Sequence, residues 1–292
     1  MTNRSTELDR GNLASLLERE RKTYRESHPK SLALYKDAEN LFGGVPMPWM
    51  NKWVGGFPLY MQGAKGNIIT DVDGHEYIDF ALGDTAAMTG HSPDASVKAI
   101  IDRMQDLGGI TTMMPTEDAQ WVGAELTRRF KVPLWSFTVS ATDSNRWAIR
   151  LARLATGKSK ILVFSYCYHG SVDETLGVLD SNGNTVSRPG NVAPPVPIDQ
   201  TTRVVEFNDL PGLEAALKHG DVAAILTEPA LTNIGIVLPE PGYLEGMREL
   251  ATKYGALLMI DETHTISAGY GGMTLRDKLD PDIFIIGKSI GA

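Results

Sequence analysis

Apolar residues in the second half of the chain follow two rhythms. Residues 134–139, 160–165, 222–227, 256–260 and 283–286 are short, nearly unbroken apolar runs, and each predicts a strand. Between them, residues 143–156 set Trp147, Ala148, Leu151, Leu154 and Ala155 at helical spacing, and residues 242–254 predict another helix. Strands that are apolar on both sides and separated by helices predict an α/β fold, with a mostly parallel central sheet and helices on both faces. Earlier in the chain, residues 67–70 and 75–80 read as antiparallel strands joined by the turn Asp71-Val72-Asp73-Gly74. A helix is expected after Gly90-His91-Ser92-Pro93, with Val97, Ile100, Ile101 and Met104 on one face, and a second near 117–130. Residues 180–200 hold an Asn/Gly-rich stretch and Pro194-Pro195-Val196-Pro197, which predicts a long loop of the kind that serves as a lid. Residues 1–30 are polar and read as a solvated arm or a peripheral helix. The expected division is 1–85, an N-terminal arm with a small-domain part, and 86–292, a large α/β domain.

Composition narrows the function classes. The 292 residues are 42% hydrophobic and 22% charged, an ordinary globular balance for one large domain or two. A net charge of −8 without a basic cluster argues against a nucleic-acid partner. Cys167 is the one cysteine, so an intramolecular disulfide is excluded and a cysteine-based zinc site is disfavoured. Within Phe164-Ser165-Tyr166-Cys167-Tyr168 it reads as a small packing residue. No uncharged apolar run is long enough to cross a bilayer and no apolar signal core opens the chain. The expected location is the cytoplasm, with no membrane partner.

Two charged motifs follow apolar runs. Asp261-Glu262 closes one, and Gly287-Lys288-Ser289-Ile290-Gly291 closes another. Ligands in parallel α/β sheets sit at the carboxyl ends of strands. Alone, the acid reads as a helix cap and the lysine as a turn residue. Together they offer what pyridoxal 5'-phosphate needs. A lysine amine in an apolar setting attacks the aldehyde, and a carboxylate keeps the pyridine nitrogen protonated so that the ring accepts electrons. Two further segments suit such a site. Ser140-Ala141-Thr142 ends a strand and opens a helix, where N–H groups and hydroxyls suit a phosphate as well as they suit ordinary capping. Tyr168-His169-Gly170 follows the next strand, and an aromatic there either stacks on a flat ring or packs in the core.

These segments, in this order, resemble class III aminotransferases, in their glutamate-1-semialdehyde aminomutase-like branch. The resemblance runs from about Gly43 to Ala292. It rests on Gly43-Gly44-Val45, Asp71-Val72-Asp73-Gly74 with Tyr77-Ile78-Asp79, Gly90-His91, and Pro115-Thr116-Glu117. Further along, Ala148 to Arg153, Tyr168-His169-Gly170, Glu228-Pro229 with Asn233, Gly255 to Leu258, Ile260-Asp261-Glu262 and Gly287-Lys288 extend it. The resemblance implies a pyridoxal-phosphate enzyme of fold-type I, a homodimer with active sites at the subunit interface, and small-molecule substrates. It implies ping-pong transfer of an amino group between an amine or amino acid and a keto acid. It assigns the Schiff base to Lys288 and the pyridinium partner to Asp261. The phosphate cup falls to Ser140, Ala141 and Thr142, and ring stacking to Tyr168. His169, Glu228, Asn233, Thr263 and His264 come near the cofactor. No metal is implied.

Departures from the family pattern bear on substrate. Ala141 replaces a glycine of the cup, and Thr263 replaces an aliphatic residue that packs on the ring. An arginine that resembles a carboxylate clamp in the aminomutases falls near Met50, in Pro48-Trp49-Met50-Asn51-Lys52, and their Ser-Trp pair is here Gly83-Asp84. A buried carboxylate needs a charged partner, so amines or amino acids with apolar or aromatic groups are expected over dicarboxylic ones. The alternatives are an aminomutase, racemase or decarboxylase on the same scaffold, or a non-catalytic homologue. Family members also continue past the lysine into a segment that completes the small domain, and that segment is not among these 292 residues.

Overall fold

A computed structural model describes residues 9–108 and 113–290, grouped in two compact units. Of the described residues, the smaller contains 9–83 and 89–108, the larger 84–88 and 113–290. Residues 1–8 of the polar arm and Gly291 lie outside the described residues.

In the smaller unit, α1 (Arg10–Ser27) is the expected peripheral helix. Asp9 caps it by accepting from Asn12 N at 2.9 Å, and none of its residues is buried. Next come α2 (Pro29–Lys36) and an antiparallel meander of β1 (Met61–Lys65), β2 (Ile68–Asp71) and β3 (Glu76–Ile78). The expected hairpin is present, with β1 added along its edge. Its turn is tied by Asp71, which is fully buried and accepts from His75 N, the His75 ring and the Tyr77 hydroxyl. Helix α3 (Asp94–Asp106) follows as expected but groups with this unit, whereas the sequence division set it in the large domain.

The larger unit begins with α4 (Glu117–Phe130) and α5 (Ala141–Thr156), then β4 (Lys160–Phe164) and a two-stranded hairpin of β5 (Gly177–Leu179) and β6 (Thr185–Ser187). It continues through β7 (Thr202–Val205), α6 (Leu210–Leu217), β8 (Val222–Thr227), α7 (Tyr243–Tyr254), β9 (Leu257–Asp261), α8 (Gly272–Arg276) and β10 (Ile283–Ile285). The five-stranded sheet runs β10-β9-β8-β4-β7, every pair parallel. All six residues of β8 are buried, as a central strand covered on both faces requires. Helix α5 buries Asn145, Ala148, Ile149 and Ala152, a stripe at helical spacing. Among the largest side chains fully sealed in this core are Phe164, Leu162, Leu213, Ile225 and Met247, each contributing roughly 1.5–3 kcal/mol.

Three expectations change here. Residues 134–139 form no strand: Leu134 and Val139 are exposed, and Trp135 instead packs on Phe130 and Phe284 at 5.9 Å. An apolar run becomes a strand only where a neighbour takes its N–H and C=O groups, and no described residue pairs with this one. The 180–200 segment is not one long loop: Asp180–Asn184 is the turn between β5 and β6, and Thr185–Ser187 is β6 itself. Strand β7 and helix α6, unread in the sequence, come between β4 and β8 in the chain, and β7 forms the edge of the sheet beside β4.

Candidate active site

Strands β9 and β10 end side by side, with Ile285 paired to Asp261 and Glu262 N donating to Ile285 O at 2.8 Å. This register brings the acid motif and the lysine motif to the same end of the sheet. Gly287 then packs between two other site segments. A Cβ built on it would lie 3.2 Å from the Ala141 Cβ and 3.3 Å from Thr263 Cγ2. The turn carrying Lys288 therefore touches both the start of α5 and the residues after β9.

Asp261 is 2% exposed and accepts four hydrogen bonds. Oδ1 receives Thr263 N at 3.0 Å and Thr263 Oγ1 at 2.6 Å, and Oδ2 receives Asn145 Nδ2 and His169 Nδ1, each at 2.9 Å. Burial pushes its carboxyl up. His169, by hydrogen bond and charge, with Thr263 and Asn145, outweighs burial and holds Asp261 below the usual carboxylate value. Burial opposes the imidazolium of His169, but its neighbours Cys167 and Asp261 raise it well above the ordinary histidine value. Each group thus favours the charged form of the other across a 2.9 Å hydrogen bond. Glu262 has a different role. Fully buried, it accepts from Thr265 Oγ1, Met273 N and Thr274 N, anchoring the start of α8.

Ser140 caps α5, its hydroxyl accepting from Asp143 N at 3.2 Å, and Ala141 and Thr142 form the first turn. Gly170 closes against Thr142: its φ is +80°, and a Cβ there would run into the Thr142 side chain. Tyr168 is half exposed, and its ring lies nearly parallel to that of His264, with centroids 6.4 Å apart. Thr232 donates to Glu228 Oε2 at 2.5 Å and meets His264 Nδ1 at 2.6 Å. The hydroxyl has one proton, so the imidazole Nδ1–H donates to it. Glu228 is 2% exposed. Asn233 is exposed on the loop after β8 and bridges Gly235; its side chain makes no hydrogen bond among the described residues.

Lys288, Asp261, Ser140, Ala141, Thr142, Tyr168, His169, Glu228, Thr263 and His264 thus belong to one linked set of strand ends and turns, which Asn233 does not join. Sequence reasoning missed Asn145, which is fully buried and bonded to Asp261. Its signal was present: an asparagine inside the apolar stripe of α5. Three buried atoms here lack partners, namely His169 Nε2, Asn145 Oδ1 and Glu228 Oε1. Unsatisfied polar atoms around an ionised carboxylate, beside a helix start and a lysine, suit a polar planar ring carrying an anionic group.

The family description Aminotransferase class-III matches residues 49–292. The chain belongs to the class-III aminotransferase family. Glutamate-1-semialdehyde 2,1-aminomutase of Roseiflexus castenholzii is 37% identical over 276 residues, covering 92% of this chain and 62% of its own. A crystal structure of a glutamate-1-semialdehyde-aminomutase from Pseudomonas aeruginosa PAO1 superposes with a TM-score of 0.92 at 48% identity, covering 97% of this chain and 62% of that one. A lysine-to-alanine variant of that protein was solved in complex with PMP. An omega-transaminase from Sphaerobacter thermophilus gives a TM-score of 0.82 at 31% identity, covering 89% of this chain and 61% of that one. The chain spans about three fifths of the length of these class-III relatives. The parallel sheet flanked by helices is the fold-type I arrangement that the sequence resemblance implied.

Proposed function

We propose that this class-III chain is part of a pyridoxal-phosphate enzyme that moves an amino group between an amine or amino acid and a keto acid. The observation that carries this reading is the convergence of Gly287-Lys288, Asp261-Thr263 and Ala141-Thr142 at one end of the sheet. The bound cofactor supplies an electron-accepting ring that stabilises negative charge at the substrate carbon beside nitrogen.

The protein's own groups do the rest. Asp261, kept ionised, pairs with the pyridine N–H. Its four lone-pair sites are filled, and the Thr263 hydroxyl is the donor that leaves by turning about one bond. The N–H groups at the start of α5, with Ser140 and Thr142, hold phosphate, and Tyr168 covers a ring face. Lys288 would hold the cofactor through its aldehyde, and its amine, once freed, would carry the proton from the substrate α carbon to the cofactor carbon that bore the aldehyde. His169, Glu228 and His264 are assigned to the surroundings of the cofactor, and Asn233, which the resemblance also placed there, is left out because it does not join their contacts.

Aminomutase chemistry is the second reading, favoured by the names of the aminomutase relatives. Amines or amino acids with apolar or aromatic groups are preferred over dicarboxylic substrates, because Met50 falls near the position where the aminomutase pattern has an arginine. A homodimer in the cytoplasm completes the proposal, with sedimentation at micromolar concentration as the check on assembly.

The decisive experiment adds pyridoxal phosphate and records visible absorption in the wild type and in Lys288→Ala, together with conversion of a keto acid acceptor. The expected result is a band and turnover in the wild type and neither in the variant. An unchanged Lys288→Ala protein overturns the assignment. Racemised or rearranged product without stoichiometric acceptor conversion selects the second reading.

A further inference from the structure

Lys288 does not stand free. Its Nζ lies 2.5 Å from Oδ2 of Asp84, an ion pair between positions 204 apart in sequence. The short segment 84–88 groups with the larger unit although the chain before and after it groups with the smaller. Its backbone is strained. Asp84 and Thr85 have φ of 58° and 71°, Leu82 just before them 52°, and Lys288 itself 51°. Residues with a Cβ avoid this region and are held there only when the surroundings enforce it; such residues cluster at functional sites. Both partners of one ion pair are thus held in a disfavoured backbone conformation. Stability does not explain that, because the Asp84 side chain is 78% exposed and an exposed ion pair contributes little.

We propose that Asp84 is a specificity-determining residue of the Lys288 site, favouring substrates whose second charged group is cationic and disfavouring dicarboxylic ones. The inference rests on the reading of Lys288 as the amine that binds a carbonyl. While that amine is an ammonium, it neutralises Asp84. When substrate displaces the lysine, the carboxylate faces the incoming molecule, and among the described residues no other cation pairs with it. A substrate carboxylate placed there meets like charge, a neutral amine is tolerated, and a second ammonium replaces the lost counter-ion. Gly83-Asp84 stands where the aminomutase pattern has a Ser-Trp pair, so a negative charge enters where that pattern has none.

The test uses the holoenzyme with Asp84→Asn and Asp84→Glu, measuring kcat/KM for glutamate, benzylamine and 1,4-diaminobutane. Because Asp84 is largely exposed, screening limits the effect to roughly threefold to tenfold. Asp84→Asn is expected to lower the diamine-to-benzylamine ratio and raise the glutamate-to-benzylamine ratio by that factor, with Asp84→Glu keeping the wild-type order. A second readout needs no turnover: reductive methylation of the cofactor-free protein, mapped by mass spectrometry, should label Lys288 several-fold faster in Asp84→Asn, with other lysines unchanged. Ratios that match the wild type in both variants overturn the inference, even if labelling of Lys288 changes. If the wild type acquires no visible band with pyridoxal phosphate, the Lys288 reading fails and carries this inference down with it. A band with unchanged ratios sinks the Asp84 role alone.

Discussion

Asn145 breaks no bond in the proposed chemistry, yet its amide is one of two donors holding Oδ2 of Asp261. A hydrogen bond to a charged group is worth about 1.5–3 kcal/mol, and removing it leaves a buried carboxylate less well held. Asn145→Ala is expected to lower stability by that amount in denaturant unfolding and to weaken pyridoxal phosphate binding in a fluorescence titration. A variant with both quantities unchanged would contradict the bond's importance. His169, the other donor, adds a pH signature. The Asp261 carboxyl is lowered, so its contribution is present above the usual 3.8 and is lost as pH falls through the lowered value. The His169 imidazole is raised, so its contribution is complete below the usual 6.5 and fades as pH rises through the raised value. The stability gap between wild type and His169→Gln is therefore expected to be widest between about pH 4 and 6.5. A gap that widens steadily above pH 7 would mean the imidazole is neutral.

At the scale of elements, the site depends on how α5 begins. Ser140 caps it, Asp143 supplies negative charge in its first turn, and Gly157 closes it in a left-handed conformation. The following turn docks on this start through Gly170, whose φ of +80° and contact with Thr142 leave no room for a side chain. Gly170→Ala combines a backbone penalty of about 1–2 kcal/mol with a clash that pushes Thr142 aside. The expected outcome is a lower Tm and weaker pyridoxal phosphate binding, because the displaced residue belongs to the proposed phosphate cup. If the Tm fell while affinity stayed at the wild-type value, Thr142 would have no part in holding phosphate.

At the scale of the molecule, each unit has its own polar anchor. In the larger it is the Asp261 network, in the smaller the turn around Asp71. Burial pushes Asp71 up, but the His75 backbone N–H, the Tyr77 hydroxyl and the His75 ring bring its carboxyl down to about 2. A depressed carboxylate stabilises above the usual 3.8 and stops doing so as pH falls toward 2. Asp71→Asn is expected to lower the Tm at neutral pH and to converge with the wild type near pH 2. Parallel curves throughout would mean the carboxylate's charge is irrelevant. No helix among the described residues is long and apolar enough to cross a membrane.

The chain's local chemistry was enough to reveal most elements and to set the Asp261 and Lys288 motifs after strands that prove to be neighbours. Helical spacing, unbroken apolar runs and an Asp-Gly turn are short-range signals, and strand-end motifs mark the ligand end of a parallel sheet. Residues 134–139 show the limit of such signals, since apolarity alone does not provide a ladder partner. Contacts between distant positions left no periodic trace. The tertiary structure gave Glu262 its own task, anchoring the start of α8 through Thr265, Met273 and Thr274. It alone set Asn145 and His169 on one carboxylate oxygen and brought Asp84 to Lys288. Hydrogen bonds and ion pairs of that kind depend on where the packed strands and helices carry each side chain, and packing is a property of the whole chain.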